Sequence, residues 1–117
     1  MSRRKSQSSF LNGVPELLVL RLLSEREMYG YELTAAIYES SSKSLEFAEG
    51  VIYPLLHSLE REGLLKTRRT RVNGRPRVYY SLTRRGARRL DQTTAEWNKV
   101  VRAVHSVVGG PREAGLA

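Results

Sequence analysis

The sequence predicts a mainly α chain with one small β-hairpin, in the order helix, helix, helix, hairpin, long helix. Residues 64–83 read LLKTRRTRVNGRPRVYYSLT. They form two segments rich in β-branched and aromatic residues around Asn73-Gly74, a dipeptide suited to a two-residue hairpin turn. Directly upstream, residues 51–63 carry the apolar spacing of an amphipathic helix. Downstream, Ala87, Leu90, Thr94, Trp97, Val101, Val104 and Val108 recur at spacings of three and four, a heptad seam over about three heptads. A helix running straight into a hairpin, after two earlier helices, is the order of a winged helix-turn-helix, and the long last helix is an addition to it.

Each element follows from its residues. Residues 1–12 are polar, basic and Ser-rich and are expected to be a flexible arm. The first helix is expected to start near Val14, with Pro15 where no N–H is needed. Leu17, Leu18, Leu20, Leu22 and Leu23 make it apolar nearly all round, hence buried. The second helix, about 30–39, puts Leu33, Ala36 and Ile37 on one face and ends at Ser40, Ser41 and Ser42. The third, about 50–62, turns Val51, Ile52, Leu55, Leu56 and Leu59 inward, and Gly63 stands where a helix C-cap belongs. Pro54 falls early enough to forfeit about one backbone bond. In the hairpin, alternation sets Val78, Tyr80 and Leu82 on one face and Arg77, Tyr79 and Ser81 on the other. Thr83 is positioned to cap the last helix. Val100 and Val107 widen its seam. The domain reading is therefore an arm at 1–12, a winged helix at 13–83, a dimerisation helix at 84–108 and a flexible tail at 109–117.

Charge narrows the function. The 117 residues include 20 Lys and Arg against 12 Asp and Glu, a formal net charge of +8. Lys66, Arg68, Arg69, Arg71, Arg75 and Arg77 crowd the hairpin with no acidic residue between them. A solvated strand face mixes signs, so a one-signed hairpin points to a polyanion. Cysteine is absent, which excludes disulfides and thiol chemistry. The histidines are His57 and His105, and the carboxylates Glu16, Glu25, Glu27, Glu32 and Glu39 are scattered without metal-ligand spacing. Neither a G-x-S-x-G elbow nor a Gly-rich phosphate loop is present, so no enzyme, metal or cofactor is expected. No apolar run approaches the ~18–20 residues that span a bilayer, and Arg3, Arg4 and Lys5 are not followed by a signal-peptide apolar region. The cytoplasm is the expected compartment by elimination, with no membrane partner.

Double-stranded DNA is the expected partner. Only a helix or ribbon fits the major groove. The face of the third helix opposite its leucines holds Gly50, Tyr53, His57 and Glu60 or Arg61. Gly50 suits close approach of the helix start to phosphate. Tyr53 is placed either at the DNA or half-buried under the second helix. Lys43 in the preceding loop, and Lys66, Arg69, Arg71, Asn73, Arg75 and Arg77 on the hairpin, complete the candidate surface. Leu90, Trp97, Val101, Val104 and Val108 are the expected dimer interface. Trp97 is read either as interface packing or as a stacking wall for an aromatic effector between subunits. Two other readings compete with a sequence-specific regulator: a winged helix that docks on an acidic protein, and a non-specific nucleic-acid binder.

The motifs also carry a resemblance. Residues 29–33 (YGYEL), 49–57 (EGVIYPLLH), 59–64 (LEREGL) and 73–80 (NGRPRVYY), then Leu82-Thr83 and Gly86, resemble the PadR family of bacterial transcriptional regulators. The match runs from about Val14 to Val108. It implies an N-terminal winged helix, a dimerising C-terminal helix and an inverted-repeat operator. It further implies a repressor of its own or a neighbouring gene, with the third helix as reader and Tyr53 among its contacts. Some relatives bind flat aromatic molecules at the dimer interface, and Trp97 matches an interface tryptophan position of such members. The single C-terminal helix resembles the short-tailed branch. The chain departs from the pattern at Ala48 and Val51, where many relatives carry Ser and Thr.

Overall fold

A computed structural model describes residues 2–109, and the side chains of residues 13–109. The chain runs α1 (Ser2–Leu23), β1 (Met28–Tyr29), α2 (Gly30–Ser40), α3 (Glu49–Arg61), β2 (Leu65–Val72), β3 (Arg75–Leu82) and α4 (Arg84–Val108). The strands form one antiparallel sheet in the order β1-β3-β2. This is a winged helix-turn-helix with a long helix appended, the fold class expected from the sequence. Residues 110–117 of the expected tail lie outside the described residues, as do Met1 and the side chains of the expected arm.

The core lies where α1, α2 and α3 meet the sheet. Val19, Leu20, Leu33, Ile52, Leu56 and Leu59 are sealed from solvent, and Leu23, Met28, Ile37, Leu64, Leu65 and Tyr80 close around them. The expected inward face of α3 is corrected at one position. Ile52, Leu56 and Leu59 are buried and Leu55 packs at the margin, but Val51 faces solvent. Its direction lies about 100° from that of Ile52, as neighbouring helical residues must.

α1 begins earlier than the Val14 start expected. Residues 2–12 contain Arg3, Arg4, Lys5, Gln7 and Leu11, all good helix formers, and nothing that breaks a helix. Pro15 consequently lies inside α1 rather than at its first turn. The sheet also holds a strand the sequence does not announce, because two residues are too few to show alternation. β1 pairs Met28 with Tyr80 and Tyr29 with Tyr79.

The hairpin turn is the one its dipeptide favours. Asn73 and Gly74 both have positive φ, 52° and 78°, and Val72 faces Arg75 across a two-residue loop. These are type I′ requirements, and that turn matches strand twist. The end of α3 is a Schellman motif, as Gly63 suggests. Gly63 has φ 79°, its N–H donates to the Glu60 carbonyl at 2.9 Å, and the Leu64 N–H donates to the Leu59 carbonyl at 2.9 Å.

The last helix starts from that same corner. The Thr83 hydroxyl accepts the Gly86 N–H at 3.0 Å, the N-cap bond expected, and donates to the Gly63 carbonyl at 2.7 Å. The Thr83 N–H donates to the Leu64 carbonyl at 3.1 Å. Gly86 lies so close beneath that an ideal Cβ would sit 2.2 Å from the Leu64 carbonyl oxygen. Arg89 then ties α4 to α1 through a two-pronged pair with Glu16, at 2.8 and 3.3 Å.

Leu90 is only 8 % exposed and belongs to the chain's own core, which corrects its expected place on a partner. The first turns of α4 pack on the chain itself, and the seam divides there. Beyond Trp97, which is half-buried, the apolar residues Val101, Val104, Val107 and Val108 are exposed, the last two by 69 % and 68 %. Ala87 and Thr94 are exposed at the flank.

Gly86→Ala forces a methyl against a backbone carbonyl that cannot move without opening the α3–hairpin corner. Overpacking of this kind costs about 1–3 kcal/mol. Urea denaturation should show a lower midpoint with an unchanged slope. A midpoint equal to the parent's would mean that the corner yields.

Candidate nucleic-acid interface

The outward stripe of α3 is Gly50, Pro54, His57 and Arg61, all exposed. These positions fall on one side of a helix with 3.6 residues per turn. Tyr53, placed by its spacing either at the DNA or under the second helix, is half-buried, which fits the second of these readings. Its ring packs against the core and covers Gly30, where an ideal Cβ would stand 2.6 Å from the ring. The bulk of an aromatic ring so near the first turn of α2 explains both residues: glycine at 30 leaves the space that Tyr53 fills. Lys43 is exposed in the α2–α3 connection, with φ 63° beside Ser42 at φ 56°.

The hairpin separates its cations by strand parity. Leu65 and Thr67 face the same side as Tyr80, and Thr67 donates to the Glu60 carboxylate on α3 at 3.1 Å. Arg69 and Arg71 continue that row toward the turn, opposite Val78 and Pro76. This row therefore lies on the α3 side of the sheet. Arg71 also donates to the Gly74 carbonyl at 2.8 Å, which braces the turn. Lys66, Arg68, Arg75 and Arg77 lie on the other face with Tyr79.

On that outer face the arginines stack. The Arg77 guanidinium lies 4.0 Å from the Tyr29 ring centre and donates to the Tyr79 hydroxyl at 3.3 Å. The Arg68 guanidinium lies 4.7 Å from the Tyr79 ring centre and makes a bidentate pair with Glu27. Tyr29 and Tyr79 meet edge to face at 5.6 Å, and Tyr31 stacks beyond Tyr29 at 6.5 Å. Glu32 accepts the Tyr29 N–H at 3.2 Å and faces Arg26 at 3.4 Å. Arg77, expected as a free phosphate contact, is thus half-buried and committed to an aromatic pair. A guanidinium offers a flat face to a ring and rim donors to oxygen at once, so stacking suits it better than lysine. Among the described residues Lys66, Arg69 and Arg75 are exposed and make no ion pair.

Protonation follows these contacts. The hydrogen bond from Arg68 holds the Glu27 carboxyl below the usual carboxylate range, and the same bond raises Arg68. The hydrogen bond to the Tyr79 hydroxyl raises Arg77, and burial raises the Tyr80 phenol. Arg68 and Arg77 therefore stay cationic near neutral pH. Sequence reading missed the Glu27–Arg68 pair because 41 residues separate the partners. Among the described residues no group of His, Cys, Asp or Glu could hold a metal ion, and no helix is long and apolar enough to cross a membrane.

Known proteins are similar to this chain in sequence and fold. The profile of the transcriptional regulator PadR-like family matches residues 19–92. The transcriptional regulator Rv3488 of Mycobacterium tuberculosis is 30 % identical over 95 residues, covering 81 % of this chain and 86 % of that protein. The transcriptional regulator YqjI of Escherichia coli is 33 % identical over 88 residues, covering 75 % of this chain and 41 % of that longer protein. Among solved structures, a transcriptional regulator from Clostridium thermocellum superposes with a TM-score of 0.78 at 26 % identity, covering 86 % of this chain and 96 % of its own. A PadR-like transcriptional regulator from Bacillus cereus superposes with a TM-score of 0.72 at 31 % identity, covering 88 % and 99 %.

The Glu27–Arg68 tether makes a pH-dependent contribution of definite sign. The folded carboxyl is depressed, so the contribution is full above the unfolded value of about 4.3 and is lost as pH falls through the lowered folded value. An NMR titration of the Glu27 carboxyl should give a midpoint below about 4.3, returning to that value in Arg68→Ala. An ordinary midpoint in the parent chain would mean that the pair does not form in solution.

Proposed function

The chain belongs to the PadR-like family of transcriptional regulators, and on that premise we propose that it is a dimeric, sequence-specific DNA-binding repressor of its own or neighbouring genes. It is a regulator and not an enzyme. The observation that carries the reading is the outward stripe of α3 beside the cationic row of Arg69 and Arg71 on the α3 side of the sheet. A helix of this kind enters the major groove while an adjoining hairpin follows the flanking backbone. Lys66, Arg69, Arg71 and Arg75 supply affinity that is blind to sequence. His57, on the face that would meet base edges, influences sequence choice, and Gly50 lets the start of α3 approach phosphate. Lys43 and Asn73 flank this surface, and Tyr53 contributes through packing, with Arg77 at the margin.

Dimerisation is supported by the second half of α4. Val101, Val104, Val107 and Val108 form an exposed apolar stripe on a helix that extends past the fold that anchors it. A second copy covers such a stripe by coiled-coil-like packing, and two-fold pairing suits an inverted-repeat site. Trp97, half-buried where the covered and exposed parts of the seam meet, is the residue through which a flat aromatic effector would act. The site of action is the cytoplasm.

Fluorescence anisotropy at ~150 mM salt, with duplex from upstream of the chain's own gene against a scrambled duplex, tests the reading; non-specific Kd values run about 10⁻⁴–10⁻⁶ M under such conditions. A gap of about a thousandfold or more is expected. Equal weak binding would favour an architectural binder, and no binding would favour a protein partner. With four cations on phosphate the log–log salt slope should be near −4 per subunit, and Arg75→Ala should reduce it by about one while weakening both duplexes alike. Loss confined to the specific duplex would remove Arg75 from the backbone contacts. Val104→Asp should give a monomer in sedimentation, and an intact dimer would place the interface elsewhere.

A further inference from the structure

We propose that Val51, with Pro54 beside it, reads the 5-methyl group of thymine in the major groove. The proposal rests on the DNA-binding reading above and names which base chemistry the first turns of α3 select.

Val51 is 45 % exposed in a helix whose other β-branched residue, Ile52, is completely sealed. Val51 is not among the residues packed on the core, and valine is one of the poorer helix formers, so neither burial nor helix propensity selects it there. Pro54 is exposed three residues on, which puts it on the adjoining part of the surface. Ala48 is exposed at the cap position and gives α3 no side-chain cap. Gly50 is exposed, its φ is not positive, and an ideal Cβ there would meet nothing within 4 Å. The fold does not require a glycine at that site. What glycine provides is a bare backbone that an outside surface can approach.

Ala48, Gly50, Val51 and Pro54 together present methyl and methylene groups with no side-chain donor or acceptor. Glu49 projects from the opposite flank of the helix, toward Tyr53 and Glu60 by its spacing. In the major groove guanine, cytosine and adenine offer polar edges, and an apolar surface pressed on them leaves those groups unpaired. Thymine alone adds an apolar group, its C5 methyl. The occupant must also be anionic. Arg61 lies on the same outward stripe, and the Arg69–Arg71 row runs along the α3 side of the hairpin. A polyanion that carries an apolar group at a base edge fits this surface.

The test uses the full chain. Duplexes are enriched from a random library at ~150 mM salt, where sequence-blind binding is weak. The enriched site is then rebuilt with deoxyuridine in place of each thymidine in turn, which removes one methyl. Anisotropy should show a loss of about three- to fivefold at one or two positions in each half-site, as burial of a methyl predicts. In Val51→Ala, whose exposed site leaves the fold intact, that loss should shrink while other substitutions in the site keep their effects. An enriched site in which every thymidine can be replaced without loss overturns the proposal and leaves the regulator reading standing. A library that enriches no sequence overturns both.

Discussion

The corner at Gly63, Leu64, Thr83 and Gly86 is the constraint on which the rest depends. α3 ends there, the hairpin both leaves and returns there, and α4 starts there. One hydroxyl, that of Thr83, accepts from Gly86 and donates to Gly63, while the Thr83 N–H holds the Leu64 carbonyl. Helix ends leave several backbone groups without partners, and here two ends satisfy one another in a single volume. Gly86 permits this because any side chain would occupy the space of the Leu64 carbonyl. The hairpin cannot rotate about α3, nor α4 about the hairpin, without breaking these bonds together.

The outer face of the sheet shows how a basic hairpin can be stable without an anion. Arg68 and Arg77 lie over Tyr79 and Tyr29, and Glu27 neutralises one of them. Such exposed pairs are individually weak, and salt screens them. Their geometric effect is larger than their energy. They pin β1 and the start of α2 to β3 and leave the Arg69–Arg71 row on the other face. The charges counted in the sequence are therefore of two kinds, one structural and one available.

Much of this was legible in the residues. Asn73-Gly74 specified the turn, Gly63 the end of α3, and Thr83 the start of α4, because each of these depends on backbone chemistry within a few residues. The inward leucines of α3 followed from period alone. Failures came where distant chain decides. Leu90 lies on a continuous heptad seam, yet α1 and the hairpin reach it and the later valines do not share that cover. Arg77 and Arg69 fall on opposite faces by strand parity, but the sequence does not show that β1 lies alongside β3 and gives Arg77 the Tyr29 ring to stack on. Val51 sits among apolar neighbours, and one residue of helical phase separates core from surface. Tyr53 had two readings, and the space above Gly30 favours packing.

The pairing of β1 with β3 has a kinetic consequence. The hairpin closes a loop of two residues, whereas Met28 meets Tyr80 across a separation of 52 positions, 80 minus 28. Loop-closure entropy rises with the logarithm of length, and the longer closure costs about 3 kcal/mol more. Two residues of ladder cannot repay that by themselves. β1 is therefore expected to join after the helices have brought Met28 to the core, and its short ladder is held by that burial and by the Arg77–Tyr29 contact more than by its own hydrogen bonds.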